Sequence, residues 1–185
     1  MLIDGIVIGF LIALLRGGKF GNLANVDLKA VWLTVIAFAI QFSAIFLFPS
    51  LLAQAVILSY GILIIFCLVN RRQAGFYLMV AGMLLNIIVM LANGGRMPVE
   101  MTAAAHLSPQ DVPALEAGTY GKHIAMSDQT HLNFLGDFIY LRSPYPHHTI
   151  ISIGDILLSL GVILYLQKAM AVKKFLFKGS AKSEF

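Results

Sequence analysis

The sequence NGGRMPV, residues 93 to 99, is the stretch best suited to bind an anion. Gly94 and Gly95 carry no side chain, so backbone N–H groups and the guanidinium of Arg96 can approach an oxyanion closely. In the alternative interpretation, a glycine only closes the preceding helix in the left-handed conformation, and Arg96 extends toward lipid headgroups. The sequence leaves both interpretations open.

Three aspartates are expected at the same depth as Arg96. Asp4 lies near the start of the first apolar run, and Asp155 lies about two turns into the last one. Asp137 lies in the polar segment between them. An ionised carboxylate inside a bilayer costs about 3 kcal/mol, so it normally faces the protein interior and has a partner. The candidate partners of Asp155 are Arg96, Lys122 and His123. Helix capping is the alternative role for Asp4 and Asp137, and a structural pair for Asp155.

All five histidines fall between residues 106 and 148, and Met97, Met101 and Met126 lie in the same polar segment. Imidazole and thioether ligands suit copper or zinc. However, His123 and His131 are eight residues apart, and His147 and His148 are adjacent. Neither pair has the i, i+4 spacing of a metal site on a helix. We expect no metal and no cofactor. We expect His123 to contribute to ligand binding in a way that depends on pH.

The predicted site is a polar pocket built from these groups. Its ligand-binding residues are Gly94, Gly95, Arg96, His123, Asp137 and Asp155. No catalytic residue is assigned, because the sequence contains no nucleophile motif, phosphate-binding loop or dinucleotide fingerprint. This weighs modestly against an enzyme and leaves the question open.

The composition predicts the elements that must position this site. Hydrophobic residues make up 59% of the 185 residues and charged residues only 12%, whereas soluble domains carry about 25% charged residues. Five apolar runs approach or reach the roughly 20 residues that cross a bilayer. They span residues 1–15, 30–49, 52–69, 74–92 and 148–167. The predicted fold class is all-α, a polytopic bundle of about five transmembrane helices in the cell membrane.

The distribution of cations orients this bundle. Ten of the thirteen Lys and Arg residues flank one set of span ends. The ten are Arg16, Lys19, Lys29, Arg71, Arg72, Lys168, Lys173, Lys174, Lys178 and Lys182. The positive-inside rule places this set in the cytoplasm, so the N-terminus is expected outside and the C-terminus inside. We expect one membrane domain over residues 1–168 and a basic cytoplasmic tail over 169–185. These cations flank spans and have no aromatic platform beside them, so they do not indicate nucleic acid.

Residues 93–147 then form an extracytoplasmic segment. It is longer than a structureless loop in a compact protein normally is, so we expect local structure in it. Residues 131–141 are apolar enough to form an amphipathic or re-entrant helix in the interface. In this arrangement, the first, fourth and fifth spans build the polar pocket, and the segment covers it.

Five short motifs are distributed along the chain: LLRGGKFGNLA after the first span, NGGRMPV after the fourth, KH at 122–123, LGD at 135–137 and SIGDILLSLGV at 152–162. In these motifs the chain resembles a family of small bacterial integral membrane proteins of unknown function. The resemblance covers most of residues 1–165. It implies a bacterial source and one intact unit, and it carries no activity, cofactor or partner with it.

Three functions remain compatible with these residues. The first is binding of an anionic amphiphile, a phosphorylated lipid or quinone-like molecule, at the outer face. The second is a membrane-embedded hydrolase or transferase that acts on a lipid headgroup, with Asp137 or Asp155 as base and His123 as acid. The third is an accessory subunit whose apolar faces pack on a larger membrane protein.

Overall fold

The computed structural model describes residues 2–143, 145 and 148–171. Five apolar helices lie at the positions of the five apolar runs: α1 (Leu2–Leu15), α2 (Trp32–Phe46), α3 (Leu52–Val69), α4 (Phe76–Ala92) and α7 (Ile153–Met170). The segment between α4 and α7 holds two short helices, α5 (Met101–Leu107) and α6 (Val112–Glu116). It also holds four short strands: β1 (Met97–Val99), β2 (His123–Ala125), β3 (Ile139–Leu141) and β4 (Thr149–Ile151).

Two helical stretches are long and apolar enough to cross a membrane, Pro49–Val69 and Ile153–Met170. The helices α1, α2 and α4 are apolar but shorter, with 14, 15 and 17 residues. The chain is therefore mostly helical with two candidate membrane-spanning helices. Five crossings and their orientation stay a prediction.

The five apolar helices pack side by side in the order α2, α3, α4, α7, α1. In this arrangement α7 contacts α4 on one side and α1 on the other, while α3 joins α4 to α2. Large apolar side chains cover the outer faces and are exposed, among them Leu11, Val35, Phe42, Phe46 and Leu58. The apolar surface of this bundle thus faces outward as well as inward.

Glycines allow α4 and α7 to approach backbone to backbone. A Cβ at Gly161 would lie 2.6 Å from the carbonyl oxygen of Gly75, and a Cβ at Gly82 would collide with the carbonyl oxygen of Gly154. On the other face of α7, a Cβ at Gly5 would lie 3.0 Å from Ser159. Small residues at helix contacts are typical of membrane proteins, where close packing replaces the hydrophobic effect as the cause of association.

The segment between α4 and α7, called the outer segment below, contains strands that the all-α prediction did not include. The strand β1 pairs in parallel with β2, so that Met97 lies opposite His123, and its other edge pairs with Asp137. The predicted interfacial helix over 131–141 is wrong. A short turn over Asn133–Leu135 is followed by β3, which pairs antiparallel with β4. The amide of Asp137 donates to the carbonyl oxygen of Pro98 at 2.8 Å, so it is not available for a helix.

The last helix begins later than the sequence predicted. Residues 149–151 form β4, and α7 starts at Ile153 rather than at 148. The side chain of Ser152 accepts a hydrogen bond from the amide of Asp155, which is the first half of a capping box. Asp155 therefore lies in the first turn of α7, not two turns inside it. His147 and residues 172–185 of the predicted basic tail lie outside the described residues.

The glycine contact predicts a difference between two Gly→Ala substitutions. Gly82→Ala should lower the thermal unfolding midpoint in detergent, because overpacking of a close contact costs about 1–3 kcal/mol. Gly61→Ala in α3 meets nothing within 4 Å, and it should raise the midpoint, because alanine favours a helix over glycine by about 0.5–1 kcal/mol. Equal midpoints for the two variants would contradict the role assigned to the contact.

Candidate functional site

The predicted anion site at NGGRMPV closes α4 and anchors the outer segment. Gly94 and Gly95 have φ of +66° and +87°. The amide of Gly95 donates to the carbonyl oxygen of Met90 at 2.7 Å, and that of Arg96 donates to Asn93 at 3.2 Å. The side chain of Asn93 exchanges two hydrogen bonds of 2.8 Å with the backbone of His131. These two amides are thus used within the chain, and anion binding here stays a prediction.

Arg96 lies apart from the other predicted site residues. Its guanidinium packs against Gly118, where φ is +64° and a Cβ would collide with Nη1. Its side chain makes no hydrogen bond or ion pair with any residue that the structure describes. It lines neither of the two outer cavities defined below.

Asp155 belongs to a buried network at the contact of α4 and α7. The amide of Asn86 donates to Oδ1 of Asp155 at 3.1 Å, and the hydroxyl of Ser152 donates to Oδ1 of Asn86 at 2.9 Å. Asn86 is 1% exposed. The predicted partners Arg96, Lys122 and His123 do not bond to Asp155 directly. Of the two readings of Asp155, the structure favours the paired structural residue.

Strand pairing brings His123 and Asp137 together. Because β2 pairs with one edge of β1 and Asp137 with the other edge, the two side chains meet beside this strand. Nε2 of His123 lies 3.6 Å from Oδ2 of Asp137. Asp137 is 7% exposed, and its Oδ1 is the single buried side-chain polar atom without a hydrogen-bond partner among the described residues.

Burial determines where this pair holds its proton. Burial, with a smaller contribution from the charge of Asp155, raises the pKa of Asp137 to about 7, although Lys122 opposes the rise. Burial and the charge of Lys122 together lower the pKa of His123 to about 3. An isolated ion pair would shift both pKa values in the opposite directions. Between about pH 3 and pH 7 the carboxyl group of Asp137 is therefore mostly protonated and the imidazole of His123 is neutral.

Two cavities adjoin this pair. The bundle cavity, of about 380 Å³, lies between α2, α3 and the loop before β2. Its lining residues are Gln41, Ile45, Leu52, Val56, Tyr60, Tyr120, Gly121, Lys122 and His123. The outer cavity, of about 240 Å³, lies within the outer segment. Its lining residues are Val99, Ala104, Leu107, Ser108, Asp111, Leu115, Tyr120, His123, Asp137, Thr149 and Ile150. Tyr120 and His123 line both cavities and form the wall between them.

Wider depressions of about 610 and 720 Å³ lie at the other end of the bundle, beside Arg71 and Arg16. They lie next to helix ends. The part of the chain that the structure describes places no unpartnered buried polar atom in them.

Lys122 is the cation of the bundle cavity, and sequence reasoning named it only as a partner of Asp155. Burial lowers the pKa of Lys122, but the negative potential of Tyr60, Asp137 and Asp155 outweighs this effect and raises it. Within the described ranges its ammonium group makes no hydrogen bond or ion pair. No sequence pattern indicates this position, because it depends on the parallel pairing of two segments 26 residues apart.

Comparison with known proteins adds a family to this geometry. A family of unknown function, DUF5317, matches residues 25–167. The chain belongs to this family. An uncharacterized protein of Thermotoga maritima is 34% identical over 160 residues, which cover 84% of this chain and 86% of that protein. No solved structure matches the chain. The family confirms the resemblance in its general form, a family of unknown function, and it brings no activity with it.

The proton on Asp137 predicts opposite pH profiles for two variants. In Asp137→Asn, the lowered pKa of His123 remains, so stability is present above pH 6.5 and is lost as the pH falls toward 3. In His123→Gln, the raised pKa of Asp137 remains, so stability is present below pH 3.8 and is lost as the pH rises through about 7. In the wild type the two effects oppose each other.

Thermal unfolding in detergent between pH 5 and 8 measures these profiles. The midpoint should rise with pH in Asp137→Asn and fall with pH in His123→Gln. His131→Gln, at an exposed side chain, should follow the wild type. Slopes of the same sign in the first two variants would show that the proton resides elsewhere.

Proposed function

We propose that this protein is a multi-pass protein of the cell membrane that binds an anionic amphiphile in the bundle cavity. The observation that carries the proposal is Lys122, a partly buried cation without a direct partner at the wall of a cavity. A buried ammonium group is costly unless an anion neutralises it. Among the described residues, Tyr60, Asp137 and Asp155 influence Lys122 electrostatically, but none of them bonds to its ammonium group.

The lining of the bundle cavity offers polar groups for the headgroup of such a ligand and apolar side chains for its hydrocarbon part. Beside Lys122, the hydroxyl of Tyr60 and the amide of Gln41 can bond to oxygens of a headgroup. Ile45, Leu52 and Val56 form the apolar part of the wall. A phosphate headgroup fits this lining because lysine serves as a point charge for phosphate, and a quinone-like molecule fits it through its carbonyl oxygens.

The bilayer is the proposed surrounding of the five apolar helices. Their outer faces expose aliphatic and aromatic side chains that water would not tolerate in such number. The cations cluster at the helix ends opposite the two cavities, so the positive-inside rule places the cavities at the extracytoplasmic face. An amphiphile of the outer leaflet would then reach the bundle cavity between α2 and α3.

Lys122→Met tests the site directly. Native mass spectrometry of the detergent-purified proteins with added phosphatidylglycerol should show that Lys122→Met binds this lipid at least tenfold more weakly than the wild type, a loss of about 1.4 kcal/mol. The reason is that a hydrogen bond to a charged group contributes roughly 1.5–3 kcal/mol. Phosphatidylcholine should bind no better to the wild type than to the variant.

Two matched substitutions control this experiment. Lys19→Met removes an exposed cation at the other end of the bundle and should bind like the wild type. Arg96→Met tests the site predicted at NGGRMPV. Loss of phosphatidylglycerol in Arg96→Met with full binding in Lys122→Met would overturn the bundle cavity as the site. So would a wild type that does not bind the lipid.

The contact of His123 with Asp137 favours a second candidate, a hydrolase or transferase that acts on the bound headgroup. A carboxyl group with a pKa of about 7 can act as general acid or general base near neutral pH, whereas the pKa of about 3 leaves His123 neutral and too weakly basic for that task. This function predicts a product from a panel of phospholipids, and Asp137→Asn should abolish it while the protein stays folded. Absence of any turnover would leave binding alone.

A further inference from the structure

The outer cavity contains a feature that binding in the bundle cavity does not use. Oδ1 of Asp137 is buried and has no donor among the described residues, while Oδ2 lies 3.6 Å from His123. The side chain of Asp137 is 10% exposed and lines the outer cavity. A buried acceptor is normally satisfied, so a donor from outside the described chain is the expected partner of this oxygen.

The remaining lining defines what kind of molecule could bring that donor. One part of the wall is apolar and consists of Val99, Ala104, Leu107, Leu115 and Ile150. The other part carries oxygen acceptors on Ser108, Asp111, Tyr120 and Thr149 beside Asp137. No lysine or arginine lines the cavity among the described residues. Its polar part is thus rich in acceptors and acidic, while its size suits a few carbon atoms.

We propose that the outer cavity is a second binding site, which takes a small molecule with a primary ammonium group on a short apolar body. The ammonium group donates to Oδ1 of Asp137, and its other N–H groups reach Asp111 or the neighbouring hydroxyls. The apolar body fills the aliphatic part of the cavity. This site is distinct from the bundle cavity, where the cation belongs to the protein.

The same lining argues against a metal ion. Among the described residues, no group of three His, Cys, Asp or Glu side chains could hold one. The rings of Tyr120 and His123, with centroids 6.1 Å apart, form one wall. The face of such a ring attracts an organic cation. An ammonium group therefore suits this cavity better than a bare ion, which would keep most of its water.

Binding of a cation must be linked to the proton on Asp137. Among the described residues, the charged or titratable groups around this carboxyl are His123 and Lys122 from β2 and its preceding loop, Asp155 from α7, and Asp111 and Tyr120 across the cavity. Burial raises the pKa of Asp137 to about 7, and an ammonium group requires the ionised form. Binding should therefore tighten as the pH rises from 6 to 8 and should release a proton.

Isothermal titration of the full-length protein with n-butylammonium tests the site. We expect saturable binding by the wild type, at least tenfold weaker binding by Asp137→Asn, and unchanged binding by Asp128→Asn, whose exposed carboxyl lies outside the cavity. 1-Butanol, which lacks the charge, and tetramethylammonium, which lacks N–H donors, should bind at least tenfold more weakly. Lys122→Met should retain butylammonium, which separates this result from that for the bundle cavity.

Other outcomes would overturn the proposal. Equal binding of 1-butanol would show an apolar cavity only, and equal binding by Asp137→Asn would place the ammonium group elsewhere. If Asp137→Asn fails to fold, Ala104→Leu adds bulk to the aliphatic part of the cavity and should also abolish binding. Wild-type affinity that does not rise between pH 6 and 8, or that rises without proton release, would equally contradict the role of Asp137.

Discussion

The close approach of α4 and α7 is the constraint on which the rest of the structure depends. Gly82 and Gly154 bring the two backbones together, and the side chain of Asn86 then reaches the start of α7 and bonds to Ser152 and Asp155. This network fixes the residue at which the chain enters the last helix. The strands before it are thereby fixed as well, and with them the position of Asp137.

The outer segment contributes residues to two cavities whose linings carry charges of opposite sign. β1 lies between β2 and Asp137, so residues far apart in sequence become neighbours without a long helix to carry them. Lys122 gives the bundle cavity a cation, while Asp111 and Asp137 give the outer cavity an acidic lining. Charges of both signs lie close together, and burial rather than pairing determines which groups are ionised.

The sequence predicted the apolar helices well and the site only in part. Apolar runs end where glycine, proline and charges begin, so each helix was found within a few residues except at the start of α7. The sequence predicts His123 and Asp137 as site residues, and in the structure Nε2 of His123 lies 3.6 Å from Oδ2 of Asp137. The role of Lys122 and all four short strands have no counterpart in the sequence prediction. Pairing between distant segments of three residues leaves no periodicity that a single sequence could show.

The wall shared by Tyr120 and His123 has a thermodynamic consequence. A molecule that turned one of these rings in one cavity would change the shape of the other, so the two proposed ligands would influence each other's binding. Such an influence would be reciprocal by necessity, because the free energy of coupling does not depend on which molecule arrives first. Two shared side chains are enough to link the two proposed sites.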